Sequence, residues 1–270
     1  MSVSEREEPT MQEEKMHRST YRVLRIFELL SASPEGISLT GLAQKLEIPK
    51  GSLHPILKTM QAMNFIRMND NGNYTIGQAA YFAGSSYTKN SDLLQEIDYV
   101  LKNLSSAVHQ TAYFSVLSGG EVLYLLEERV PTPITIQAKR GYKYPAYATG
   151  MGKALLSGKT ESDIKEGLHK LTEHTIDEFD TLFGQMEEIR RTGYSFEKEE
   201  SNKDVQCIAV PVKYKEHVIA GMSVAVPVFY YSEEFEKKAM EELKKAKRHI
   251  EKLIQDNTQE WVYSPLGAEM

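Results

Sequence analysis

A chain of 270 residues, 41% hydrophobic and 26% charged, has the make-up of an ordinary water-soluble protein and the length for two domains with separate cores. No apolar run approaches the roughly 20 residues that cross a bilayer, and the acidic start MSVSEREEPTMQEEK lacks the apolar centre of a signal peptide. The single cysteine, Cys207, excludes an internal disulfide and a Cys-rich metal site, so the expected compartment is the cytoplasm. The net charge of -6 is unevenly spread. Residues 1–16 hold five acids and two bases (-3), residues 17–90 hold eight Lys/Arg and four Asp/Glu (+4), and the remainder therefore carries -7. A basic module joined to an acidic one points to a polyanionic partner for the first part only.

After an acidic, disordered tail expected over residues 1–17, three amphipathic patterns follow one another. Val23, Ile26, Phe27 and Leu30 form the first, Leu39, Leu42, Ala43 and Leu46 the second, and Leu53, Ile56, Leu57 and Met60 the third, each at i, i+3, i+4, i+7. SPEG at 33–36 parts the first two, Ser38 can cap the second, and Glu47-Ile48-Pro49 leaves room only for a tight turn before the third. That spacing is a helix-turn-helix. FIRMNDNGNYTI then reads as a hairpin turning at Asn69 to Asn73, so residues 18–78 are expected to form a winged helix-turn-helix whose third helix enters the DNA major groove. Its candidate DNA contacts are Arg18, Arg22, Lys50, Gly51, Ser52, His54 and Lys58, with Arg25 on the first helix beside them.

Pro55 interrupts the third pattern. An interior proline loses the bond to the carbonyl four residues earlier, here that of Gly51, and clashes with it at about 3 kcal/mol. Either Ser52 is the N-cap and Pro55 lies in the first turn, or the helix begins at Pro49 and Gly51 flexes to relieve the clash. The first arrangement is the one favoured by sequence.

A linker helix is expected over 79–94, with a longer helix from Asp92 to about His109. The α+β second domain is expected over 95–256, and a C-terminal tail over 257–270. YFSVLSGGEVLYLLEE is a strand, a Gly-Gly turn and a strand, and QCIAVPVKY with HVIAGMSVAVPV forms a second hairpin inside an antiparallel sheet. Phe179, Leu182, Phe183, Met186 and Ile189 mark one helix on that sheet, and Phe235, Ala239, Leu243, Ala246, Ile250 and Leu253 mark the last.

Catalytic motifs find little support. YATGMGKALLSGKT fails the Walker pattern, because Tyr147 stands at the first glycine position and Ala154 follows Gly152-Lys153. What survives is a glycine turn opening a helix, which suits an anion such as a carboxylate or serves tight packing alone. Cys207 reads as a buried inert thiol, and His109, His169, His174 and His217 have no metal-ligand spacing. The acidic run FEKEES at 196–201 reads as a mostly solvated edge.

Taken in order, RVLRIFELL, LTGLAQKLEIPKGSLHPILKTM, YTIG, YPAYATGMGKALL, LTEHTID, EIRRTGYSFEKEE and CIAVPV resemble an IclR-type transcriptional regulator from about residue 18 to 256. The resemblance implies a winged helix, a linker helix and a GAF-like C-terminal domain that binds a small effector, often an organic acid. It implies a homodimer or tetramer on double-stranded operator DNA, usually as a repressor, with no cofactor, no metal, no membrane contact and no enzymatic activity. Its effector contacts fall on Gly150, Met151, Glu197, Cys207, Ser223 and Ala225. Met151 and Ala225 are less polar than in some members, and Pro55 replaces the arginine of the family pattern K-S-T-V-H-R. An enzyme carrying an accessory winged helix, or a pure protein-interaction module, is the alternative.

Overall fold

The computed structural model describes residues 17–89, 92–130, 143–164 and 167–257; the expected tails fall outside these except at residues 17 and 257. The chain divides into two compact units, Met1–Lys89 and Asn90–Met270.

In the first unit, α1 (Arg18–Ser31), α2 (Leu39–Lys45) and α3 (Lys50–Ala62) are followed by β1 (Ile66–Met68), β2 (Tyr74–Ile76) and α4 (Gln78–Lys89). The three amphipathic patterns become these helices because their stripes meet in one core of Ile26, Leu30, Leu42, Leu53, Leu57 and Met60, which β1 and β2 extend with Ile66 and Tyr74. Ser38 caps α2 as expected, its hydroxyl accepting from Gly41 N–H at 3.1 Å. The turn between α2 and α3 passes through Glu47 at φ 55, a left-handed position filled without glycine.

The expectation for Pro55 is corrected. Pro49 is the N-cap of α3 and its carbonyl accepts from Ser52 and Leu53 N–H at 2.9 and 3.1 Å, so Ser52 is already helical and Pro55 lies inside the helix. The Ile48-Pro49 turn is too short to delay the helix to Ser52, and proline suits the cap because it needs no N–H there. A Cβ on Gly51 would meet nothing within 4 Å, so the first turn has space on its outer side.

The wing is a hairpin in register Ile66↔Ile76, Arg67↔Thr75 and Met68↔Tyr74, with Ile37 bridged antiparallel to Tyr74 in addition. The Asn69 carboxamide organises the turn, accepting from Asn71 and Asn73 N–H and donating to the Glu35 carbonyl at 3.1 Å. Asn73 donates to the same carbonyl at 3.4 Å. Gly72 supplies the positive φ, 74°, that closes the turn.

The second unit is α+β. It runs α5 (Asp92–Val108), β3 (Thr111–Ser118), β4 (Glu121–Glu128), β5 (Lys143–Pro145), α6 (Gly150–Leu156), α7 (Phe179–Thr192), β6 (Ser195–Lys198), β7 (Val205–Tyr214), β8 (His217–Pro227) and α8 (Glu233–Asp256). The strands form one antiparallel sheet in the order β5-β4-β3-β8-β7-β6, with both strands of the β7–β8 hairpin interior to it. Period-two alternation sends Ala112, Phe114, Ile208, Val210, Met222 and Val224 to the face covered by α5 and α8. Tyr113, Ala209 and Ala225 point to the opposite face, under α6 and α7. Leu93 and Leu94, read from sequence as the end of the linker, are buried in the core of this unit, and Ile254 takes the fully buried place that Leu253 was expected to hold.

Two polar segments escaped the strand reading. Lys143–Pro145 and Ser195–Lys198 become the edge strands β5 and β6, and the supposed solvated edge at 196–201 is corrected by the burial of Glu197 and Glu200, 1% and 7% exposed.

Candidate functional site

In the first unit the candidate face is the outer side of α3. Leu53, Leu57 and Met60 are buried, while Lys50, Gly51, Ser52, His54, Pro55 and Lys58 are exposed. His54, Pro55 and Lys58 share one stripe at i, i+1, i+4, and Gly51 lies one turn earlier on the same side. Among the described residues Lys50 and Lys58 form no ion pair. On α1, Arg18 is exposed, Arg22 is half-buried, and Arg25 is held by Glu28 at 2.5 Å. The wing adds a cation that the sequence reading left out: Arg67 is exposed, its Nε donating to the Thr75 hydroxyl at 3.3 Å. The face offers cations, hydroxyls and backbone to a polyanion.

In the second unit, five of the six sequence-predicted effector residues meet at one cavity. Gly150, Met151, Cys207, Ser223 and Ala225 line it together with Tyr113, Tyr124, Tyr144, Thr149, Ser201, Asn202 and Val205. Strand register explains the meeting. Cys207 stands opposite Ala225, Ala209 opposite Ser223, and Ser223 opposite Tyr113, so alternate residues of three strands share the face under α6. The three tyrosines stack edge to face, Tyr113 on Tyr124 at 5.2 Å and Tyr124 on Tyr144 at 6.1 Å. Burial holds the Tyr113 and Tyr124 hydroxyls well above the ordinary tyrosine range, so both stay neutral. The cavity encloses only about 20 Å³, the room of a single water molecule.

The glycine turn serves packing first. A Cβ on Gly152 would lie 2.1 Å from the Ala146 carbonyl oxygen, and one on Gly150 would lie 3.2 and 3.3 Å from the Cβ atoms of Cys207 and Glu197. Thr149 caps the helix by accepting from Gly152 N–H at 2.9 Å, and all seven residues of α6 are buried. At the other end, Arg190 of α7 donates to the carbonyls of Ser157 and Lys159 at 2.8 and 2.7 Å.

Glu197 is not part of the cavity lining. It lies behind Gly150 and Cys207, paired in register with Cys207 across β6 and β7. Its Oε1 accepts from Glu200 and Ser201 N–H at 2.6 and 3.0 Å, and its Oε2 is buried with no hydrogen-bond partner among the described residues. Burial pushes its carboxyl up to about 7, against the lowering effect of the Ser201 and Glu200 N–H groups. Glu200 itself pairs with Lys153 of α6, Oε1 to Nζ 2.6 Å, and Lys153 is completely buried. Burial raises the Glu200 carboxyl too, with Lys153 opposing the shift. Thr175 donates to the Glu200 carbonyl at 2.6 Å and Thr172 to that of Glu199 at 2.7 Å, so the 199–204 loop, which carries Ser201 and Asn202 to the cavity, is tied on two sides.

Cys207 lines the cavity and is partly buried, a correction to the expectation of an enclosed thiol. Desolvation and the neighbouring Glu197 carboxylate raise its pKa, which keeps it protonated and unreactive. His109, His169, His174 and His217 are exposed, and no group of acids, histidines and cysteine among the described residues could hold a metal ion. No helix among them is long and apolar enough to cross a membrane.

Comparison with known proteins bears on both units. The IclR helix-turn-helix domain matches residues 19–70, and the bacterial transcriptional regulator IclR C-terminal domain matches residues 85–252. The transcriptional repressor IclR of Escherichia coli is 30% identical over 221 residues, which are 78% of this chain and 80% of that protein. The fold is that of a solved IclR transcriptional regulator from Alicyclobacillus acidocaldarius, with TM-score 0.79 at 21% identity over 88% of this chain and 99% of that one. It is also that of an IclR homologue from Microbacterium hydrocarbonoxydans in complex with 4-hydroxybenzoate, with TM-score 0.75 at 18% identity over 88% of this chain and 100% of that one.

Proposed function

The chain belongs to the IclR family of bacterial transcriptional regulators, and from that premise we propose that it represses by gripping operator DNA through the outer face of α3, with a small organic acid in the second unit altering the grip. Lys50, Ser52, His54 and Lys58 meet the major groove and its phosphates, Gly51 allows close approach, Arg18 and Arg22 reach flanking phosphates, and Arg67 brings the wing to the backbone. The active species is a homodimer or tetramer, because one winged helix offers few base contacts and two of them match a pseudo-palindromic site.

The effector half rests on one observation: Gly150, Met151, Cys207, Ser223 and Ala225, from three separate elements, converge on a cavity walled by three tyrosines. The lining is rich in hydroxyls and flat aromatic surface and, among the described residues, includes no cation; Lys153 is paired with Glu200 behind it. Such a wall suits a compact acid with an apolar or aromatic body, its carboxylate held by hydroxyl and backbone N–H donors. The Microbacterium relative's 4-hydroxybenzoate is a ligand of this chemical type. Glu197 acts from behind the wall by holding the 199–204 loop. Ligand sites of this kind measure on the order of 300 Å³ or more, so an acid enters by displacing part of the lining, and that displacement is what can favour one DNA-affinity state over the other.

Gel-shift titration of the full chain on genomic fragments tests the DNA half: affinity should fall steeply from 50 to 200 mM salt as phosphate contacts are screened. A salt-insensitive complex, or none on any fragment, would remove the DNA reading. Mass spectrometry of the purified chain under native conditions, with operator binding repeated in 4-hydroxybenzoate, tests the effector half.

A further inference from the structure

Behind the cavity wall lies a charge cluster that the effector reading leaves without a role. Two carboxylates, Glu197 and Glu200, share one ammonium group, that of Lys153, and all three are at most 7% exposed. Lys153 is committed to Glu200 at 2.6 Å. Among the described residues Glu197 forms no ion pair and its Oε2 accepts no hydrogen bond, and it packs against Gly150 and Cys207, two residues of the cavity lining. The groups facing it are Lys153 from α6, Glu200 from the 199–204 loop, the Cys207 thiol from β7 and the Tyr124 hydroxyl from β4. With both carboxylates ionised the cluster carries one net negative charge one residue layer from the ligand; with a proton on Glu197 it is neutral.

We propose that Glu197 sets the charge the cavity accepts: protonated, it lets an organic anion in, and ionised, it turns one away. Effector binding is then proton-linked, one proton being held on Glu197 for each anion bound, so operator control in this chain responds to pH as well as to metabolite. The inference rests on the reading of the cavity as an acid-binding site. Burial supports it by bringing the Glu197 carboxyl to about 7, where a physiological change of pH moves its occupancy. Glu197 is a positioning residue in this account, acting on the ligand through its charge across the Gly150-Cys207 wall.

Calorimetric titration of the full chain with 4-hydroxybenzoate, whose carboxylate is ionised throughout, should show affinity falling about tenfold between pH 6 and pH 8. At pH 7, two buffers of different ionisation enthalpy should report proton uptake. Glu197→Gln should bind with pH-independent affinity close to the wild-type value at pH 6. Glu200→Gln should flatten the profile as well, because Lys153 then neutralises an ionised Glu197; a purely structural Glu197 predicts no such effect, and this variant decides the matter if Glu197→Gln fails to fold. Wild-type affinity equal at pH 6 and pH 8 overturns the proposal. If 4-hydroxybenzoate binds at no pH, the organic-acid reading fails for that probe, and infrared titration of the unliganded chain decides the proton separately. A protonated-carboxyl band lost between pH 6 and 8 and missing from Glu197→Gln keeps Glu197 as its holder; no such band overturns it.

Discussion

Lys58 and Lys153 are the same side chain put to opposite uses. Lys58 stands exposed on α3 with no ion pair among the described residues, and any value it has is realised only when a polyanion arrives. Lys153 is completely buried in α6 and tied to Glu200. The first unit thus keeps its recognition chemistry in water, where each charge is worth little to the fold and can be changed freely. The second unit keeps its chemistry in the interior, where every polar group is bound up with stability.

The contrast breaks if a charge in the cavity cluster can be removed cheaply. Lys153→Met leaves Glu200 buried beside no cation, and should cost about 3–5 kcal/mol in urea denaturation. Combining it with Glu200→Met should restore most of that loss, since an apolar pair of similar volume replaces a buried ion pair at little cost. Equal stability of Lys153→Met and wild type would mean that the cluster is hydrated.

The next effect is set by pH. Glu197 has an ordinary carboxyl value of 4.5 when unfolded and about 7 when folded. Between these values the native state holds a proton the unfolded chain has lost, so its contribution is full below 4.5 and disappears as pH rises through 7. The span is worth about 3 kcal/mol as an order of magnitude. Subtracting the stability–pH curve of Glu197→Gln from that of wild type should isolate this decline; parallel curves would contradict it.

On the exposed side, Pro55→Ala restores an N–H opposite the Gly51 carbonyl and should raise the stability of the first unit by about 1 kcal/mol. Pro55→Arg adds a five-donor group to the same stripe as His54 and Lys58, and operator selection from random DNA should shift in sequence preference, not merely in strength. Selected sites identical to those of wild type would show that position 55 does not meet bases. The smallest effect on folding sharpens the comparison most. Lys58→Ala should change stability by less than about 0.5 kcal/mol, yet weaken binding on all sequences and lower the salt slope by about one.

How much could be read in advance follows the same division. An exposed recognition face on a helix is the complement of its apolar stripe, and Leu53, Leu57 and Met60 therefore announce His54 and Lys58 through periodicity alone. Only the start of α3 was misplaced, because Ser52 is a better capping residue than Pro49 by propensity, while the short turn from α2 fixes the geometry. In the second unit the long strands and the helices α5, α7 and α8 show their patterns, but β5 and β6 are three and four residues long and polar. The resemblance to the family supplied Gly150, Cys207 and Ser223. Tyr113, Tyr124 and Tyr144 were missed because membership of the cavity depends on the pairing of β3 with β4 and β8, and register is a relation between segments that no single segment states. The clue available was period-two spacing of polar residues in an otherwise apolar strand, as in Tyr113 with Ser115. Glu197 and Glu200 looked solvated because charge runs usually are.

The wing illustrates a further consequence. Strands of three residues do not hold a hairpin together in water, yet Asn69 and Asn73 anchor this one to the Glu35 carbonyl, and Ile37 and Tyr74 add a rung on the same side. The disorder such a hairpin would otherwise have is therefore given up when the chain folds, not when the operator is met. On the proposed reading of the wing as a backbone contact, DNA would meet an edge already in shape, and the freedom lost on association would be confined to the outermost side chains such as Arg67. A protein of this design should find its site with little rearrangement of the wing, leaving its conformational response available for the ligand.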